Sequence, residues 1–167
     1  MRAGEPKGVG PSLASADRMR SRPIRDLMTK APITIGGAQT LARAHELMRA
    51  HRVRHLPVLD DGRLVGMVSQ RDLYFIETLK DVDPKTVLVE EAMTREPYAV
   101  TPRVAISTVA RTMIQERFGA AVVIDAGRVV GIFTALDALK ALSTPIGRER
   151  SAPRAVTRSK SGPVARA

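Results

Sequence analysis

The chain has 167 residues, 44% of them hydrophobic and 26% charged, with a formal net charge of +10 and no cysteine. This is the composition of a soluble globular protein with room for one sizeable core, and the missing thiols exclude disulfides, cysteine catalysis and thiolate metal sites. No apolar run is long enough to cross a bilayer, and two tyrosines, three phenylalanines and no tryptophan cannot build a stacking platform for single-stranded nucleic acid.

The positive charge is unevenly placed. Residues 26–146 hold about 15 basic and 14 acidic side chains, whereas residues 1–25 add about +4 and residues 147–167 about +5. Both ends are rich in Gly, Pro, Ser, Ala and Arg without regular apolar spacing, so residues 1–22 and 147–167 are expected to be disordered basic tails. Met19 offers a second candidate start beside Met1. The N-terminal stretch lacks the apolar core of a secretory signal, and a cytoplasmic location is the default expectation.

Pro32-Ile33-Thr34-Ile35, bounded by proline and Gly36-Gly37, predicts a brief strand. Leu41, Ala44, Leu47 and Met48 follow at helical spacing, one apolar stripe over about three turns. Gln39 or Thr40 opens that helix; Arg49, His51 and Arg52 lie near its C-terminal end, where the dipole favours cations. His55–Leu59 and Leu64–Val68 read as strands about the turn Asp60-Asp61-Gly62-Arg63, with Gly62 suited to positive φ. Ser69 caps a helix running to about Leu79, and Lys80–Lys85 is a polar connection.

The same order then returns. Tyr98-Ala99-Val100 is a strand, and Val104–Glu116 a helix with Val109, Ala110, Met113 and Ile114 inward. Ala120–Ile124 and Val129–Thr134 form a hairpin, and Thr134–Leu142 is the closing helix. Met28-Thr29 matches Met93-Thr94, Gly62-Arg63 matches Gly127-Arg128, and Gly66 through Asp72 matches Gly131 through Asp137, always about 65 residues apart. The fold class is α/β: two β-α-β-β-α repeats, residues 23–80 and 87–146, joined by a linker at 81–86 and packed with pseudo-two-fold symmetry. Met28, Met48, Met93 and Met113 occupy equivalent places and are read as core.

Ser69 and Thr134 sit where a strand becomes a helix. Free amides, the positive dipole end and a hydroxyl converge there, which makes a phosphate-sized anion site. Asp72 and Asp137 lie one turn further on, where a carboxylate can accept from both hydroxyls of a ribose. Ser-x-x-Asp is equally a capping box that binds nothing, and both roles can coexist. Around the first copy Arg52, Arg54 and Arg71 offer guanidinium forks for phosphate oxygens. The second keeps Arg117 but has Gly119, Ala135 and Leu136 in place of Arg54, Gln70 and Arg71, and Val122 in place of Pro57. His51 and His55 have no evident third partner for a metal, and no spacing proposes a nucleophile with its base.

The two Met-Thr openings, the strand Leu56-Pro57-Val58-Leu59-Asp60 and the two Gly-apolar-apolar-Ser/Thr-x-x-Asp endings resemble the cystathionine-β-synthase (CBS) domain. The whole chain is similar to a stand-alone tandem pair, or Bateman module. The resemblance implies a nucleotide-binding set of Thr34, Ile35, Arg54, His55, Pro57, Ser69, Arg71 and Asp72 in the first copy. In the second it implies Val100, Ala120, Val122, Thr134 and Asp137, with Ala99 and Gly119 nearby. It further implies an energy-sensing, non-catalytic regulatory module. AMP, ADP, ATP or S-adenosylmethionine would be its regulatory ligand, with no required cofactor, and it would form a homodimer read by an effector protein. Two other readings stay open: a structural dimerisation unit with empty clefts, and a nucleic-acid-associated protein acting through its arginine-rich tails.

Overall fold

The computed structural model describes residues 13–143, with side chains from residue 17 onward. A helix α1 (Leu13–Ser21) and a 3-10 turn (Ile24–Asp26) lead into β1 (Thr29–Lys30). The first repeat then runs β2 (Ile35–Gly36), α2 (Leu41–His51), β3 (His55–Asp60), β4 (Arg63–Ser69) and α3 (Gln70–Glu77). After α4 (Val89–Ala92) and β5 (Thr94–Arg95), the second repeat runs β6 (Ala99–Val100), α5 (Ile106–Gln115), β7 (Ala120–Asp125), β8 (Arg128–Thr134) and α6 (Ala135–Ser143). The predicted β-α-β-β-α order is present twice. No helix among the described residues is long and apolar enough to cross a membrane.

Helix α1 corrects one expectation, since part of the stretch read as a disordered tail is helical and packs on α5. Met19 is half-buried beside α5; a short helix made mostly of small and polar residues leaves too little periodicity to be read from sequence. Residues 1–12 and the expected C-terminal tail lie outside the described residues.

Each repeat contributes a four-stranded sheet, but neither sheet is built from its repeat alone. The orders are β2-β3-β4-β5 and β1-β8-β7-β6. Strand β5, which opens the second repeat, is therefore the antiparallel edge of the first sheet, and β1 is the edge of the second. The exchange is reciprocal at hydrogen-bond level. The Ile24 amide donates to the Val104 carbonyl at 2.9 Å, and the Val89 amide donates to the Gln39 carbonyl at 2.8 Å. Two separate cores result. Leu41, Ala44, Met48, Leu56, Val58, Val68 and Leu73 pack with Val89 and Met93 from beyond the linker. Val109, Met113, Ala121, Val123 and Phe133 pack with Ile24, Leu27 and Met28 from the start of the first repeat.

The exchange explains two glycines. A Cβ on Gly66 would collide with the Met93 thioether, and one on Gly131 with that of Met28. The strand must be bare where the exchanged methionine lies on it. At the hairpin tips Asp61 and Gly62, and likewise Ala126 and Gly127, both have positive φ, the two-residue turn whose twist matches its flanking strands. Arg52 and Arg117 are also left-handed, at 54° and 57°. Arg52 ends α2 with its amide on the Arg49 and Met48 carbonyls, a cap of the kind that satisfies orphan carbonyls.

The inward reading of Ile114 is overturned: it is 77% exposed, as is Leu142. Tyr74, Phe75, Leu79, Leu136 and Leu139 are exposed as well.

Candidate ligand clefts at the strand-helix junctions

Register decides what the junctions bring together. His55 lies opposite Ser69 and Pro57 opposite Met67 on the paired strands β3 and β4; Ala120 lies opposite Thr134 and Val122 opposite Ile132 on β7 and β8. Directly opposed residues of antiparallel strands share a face. The alternate residues Leu56, Val58, Ala121 and Val123 enter the two helical cores. Pro57, Ala120, Val122 and Ile132 are buried yet belong to neither cluster, and the two sheets contact one another along β4 and β8. The candidate clefts open where this shared layer reaches the helix N-termini.

Each junction is a complete capping box. The Asp72 Oδ2 accepts from the Ser69 amide at 2.9 Å and from the Ser69 hydroxyl at 2.6 Å, while the Asp72 amide donates back to that hydroxyl at 3.2 Å. Thr134 and Asp137 repeat this at 2.9, 2.7 and 3.3 Å. The next amide is engaged too: Gln70 donates to the Arg54 carbonyl, and Ala135 to the Gly119 carbonyl. The expected anion site is thereby narrowed. Each hydroxyl spends its single proton on its own aspartate, and two first-turn amides have protein partners. What each junction offers a ligand is the remaining carboxylate oxygen, Oδ1, beside whatever cations surround it.

Those surroundings differ between copies. Around Asp72 stand the exposed Arg54 and Arg71 and the half-buried His55. Burial pushes the His55 imidazole below its usual value; Asp72 opposes this, and Arg71 and Arg54 add to it. His55 also reaches across the repeats, since a Cβ on Gly119 would lie 2.7 Å from its Nε2. At the second junction Leu136 and Ala120 replace Arg71 and His55. Asp137 is buried, with Oδ1 3.6 Å from the Lys140 ammonium. Lys140 escaped the sequence reading, although its i, i+3 spacing from Asp137 was there to find.

Of the remaining expected residues, Thr34 is half-buried just before β2. Ile35 lies in the first core and Val100 packs against the second. Their side chains serve packing and only their backbones can face a ligand. No cluster of three or more metal-ligating side chains occurs among the described residues. Two open grooves, of about 480 and 470 Å³, lie instead on the helical surfaces, and none of Ser69, Asp72, Thr134 or Asp137 lines them.

The CBS domain family model matches residues 24–76 and 89–144. The chain belongs to the CBS domain family. Its tandem CBS pair is 34% identical over 132 residues to inosine-5'-monophosphate dehydrogenase of Korarchaeum cryptofilum, covering 77% of this chain and 25% of that protein. The chain spans less than half the length of some of the curated relatives that it matches and more than three quarters of others. Among solved structures it is similar to CBSX2 in complex with AMP, with a TM-score of 0.64 and 30% identity, covering 72% of this chain and 96% of that one. It is likewise similar to the CBS domain pair of protein MJ0100 in complex with 5'-methylthioadenosine and S-adenosyl-L-methionine, with a TM-score of 0.66 and 27% identity, covering 72% and 94%.

Proposed function

We propose that this CBS pair is a non-catalytic regulatory module that binds an adenine nucleotide or adenosyl ligand in the clefts between its repeats. The observation that carries the reading is the junction at Asp72, a carboxylate with one uncommitted edge that shares with Arg54 and Arg71 an electrostatic influence on His55, at the seam of two repeats. A ribose matches the carboxylate and a phosphate matches the cations. The ligands held by the similar CBSX2 and MJ0100 pairs support the same chemistry. A ligand touching both repeats shifts a conformational equilibrium by its differential affinity for the two states, and an effector protein reads the shift. The exposed apolar side chains of α3 and α6 suit a homodimer.

Calorimetric titration with AMP, ADP, ATP and S-adenosylmethionine tests the reading. Asp72→Ala should weaken nucleotide binding by about 1.5–3 kcal/mol, the scale of lost charged hydrogen bonds. Asp137→Ala should cost less, because Lys140 already holds that carboxylate. One observation favours a second reading, a dimerisation unit with empty clefts: both capping boxes are fully satisfied without a ligand. Absence of any heat or thermal shift with all four compounds would select it.

A further inference from the structure

The offset of 65 residues matches Arg54 with Gly119 and His55 with Ala120. The first pair anchors the two helix starts in the same way: the Arg54 carbonyl accepts from the Gln70 amide at 2.9 Å, and the Gly119 carbonyl from the Ala135 amide at 3.3 Å. The junctions therefore differ here in side chains alone. Where the first carries an arginine and a histidine, the second carries bare backbone and a methyl group. The bare place is nonetheless filled. The three atoms nearest to a Cβ built on Gly119 all belong to the His55 imidazole, Nε2 at 2.7 Å, Cε1 at 3.3 Å and Cδ2 at 3.9 Å. The first of these lies well inside the ordinary contact distance of about 3.5–4 Å. Gly119 does not have positive φ, so no turn demands a glycine there, and the close approach of the ring does. His55 reaches this place because it stands opposite Ser69, on the sheet face turned away from its own helical core. Gly119 is exposed and His55 half-buried, which sets the ring at the mouth of the second junction and not in a sealed interior.

We infer that His55, a residue of the first repeat, completes the second cleft by supplying the polar side chain that Gly119 and Ala120 lack. The inference rests on the ligand clefts proposed above and gives the second of them a residue that the repeat order places in the first. It also names what that residue recognises. The charged groups acting on the ring are Asp72, Arg71 and Arg54, all from the first repeat, and burial outweighs them in favouring the neutral imidazole. A neutral ring offers one donor and one acceptor nitrogen. That pair suits a ribose hydroxyl or a ring nitrogen of a base, whereas a phosphate calls for a cation. The two clefts thus divide the chemistry of one ligand class. Arginines at the first suit the phosphate end, and the borrowed imidazole at the second suits the nucleoside end.

Calorimetry with AMP and with S-adenosylmethionine tests this on the full-length chain, in two backgrounds that each weaken one junction, Asp72→Ala and Asp137→Ala. In the Asp72→Ala background, His55→Leu fills the space without a polar atom. It should weaken the remaining binding about tenfold, the scale of a hydrogen bond lost with its partner left unpaired. His55→Gln, which restores a donor and an acceptor, should recover most of that loss; a ring that merely filled space would be replaced as well by leucine. Gly119→Ala should reproduce the loss from the other side, because its methyl displaces only the far end of the imidazole, and it carries the test should His55→Leu fail to fold. A loss confined to the Asp137→Ala background assigns His55 to the first cleft alone and overturns the inference. Equal affinities of the leucine and glutamine variants overturn it too. A wild-type chain that binds neither compound removes the proposed clefts themselves, and this inference with them.

Discussion

The His55 imidazole of the first repeat rests against the backbone of the second at Gly119. Its folded-state pKa is lowered, first by burial, so the unfolded chain binds the proton more readily than the native one. Stability is then fully present above the unfolded value of about 6.5 and is lost as pH falls below it. Melting temperature should accordingly drop between about pH 6.5 and 5.5, above the main carboxylate range. His55→Gln should flatten that part of the profile. A wild-type profile no steeper than the variant's would contradict the assignment. The junction aspartates show how far single residues could be read. Ser69, Asp72, Thr134 and Asp137 were legible as cap and candidate site together, because the cap depends on a spacing of three. Which carboxylate oxygen remains for a ligand was not legible, since it depends on where the hydroxyl proton goes.

Exchange of the opening strands is the feature that the sequence concealed. Periodicity located the helices α2, α3, α5 and α6 because each buries a stripe against its own sheet. Met28-Thr29 and Met93-Thr94 were visible as repeated motifs, yet two-residue strands carry no period, and nothing local says which sheet they join. The clue lay in Gly66 and Gly131, strand glycines that only a close packing partner explains. Gly66→Ala should therefore destabilise the fold by about 1–3 kcal/mol, the usual cost of overpacking. Adding Met93→Ala, which opens a cavity of its own when made alone, should recover part of that loss rather than add to it. Denaturant unfolding of the two single variants and the double variant measures the coupling; strictly additive losses would mean that Met93 does not rest on Gly66.

For the molecule as a whole, the exchange makes the two repeats one cooperative body. A fragment ending at residue 80 keeps β2, β3, β4, α2 and α3 but loses the edge strand β5 and the buried groups Val89 and Met93 from its core. Its own Ile24, Leu27 and Met28 are left without the second core against which they pack. Each large apolar side chain deprived of its burial costs about 1.5–3 kcal/mol. Five such losses rival the whole stability of a small domain, about 5–15 kcal/mol. Residues 13–80 alone should show no cooperative melting transition, and residues 81–143 alone should show none, while an equimolar mixture should regain one as each fragment supplies the other's edge strand. The mixture should also elute as a single species on size exclusion. A sharp independent transition in either fragment would show that its sheet closes without the exchanged segment, and that the two repeats are separate domains placed side by side.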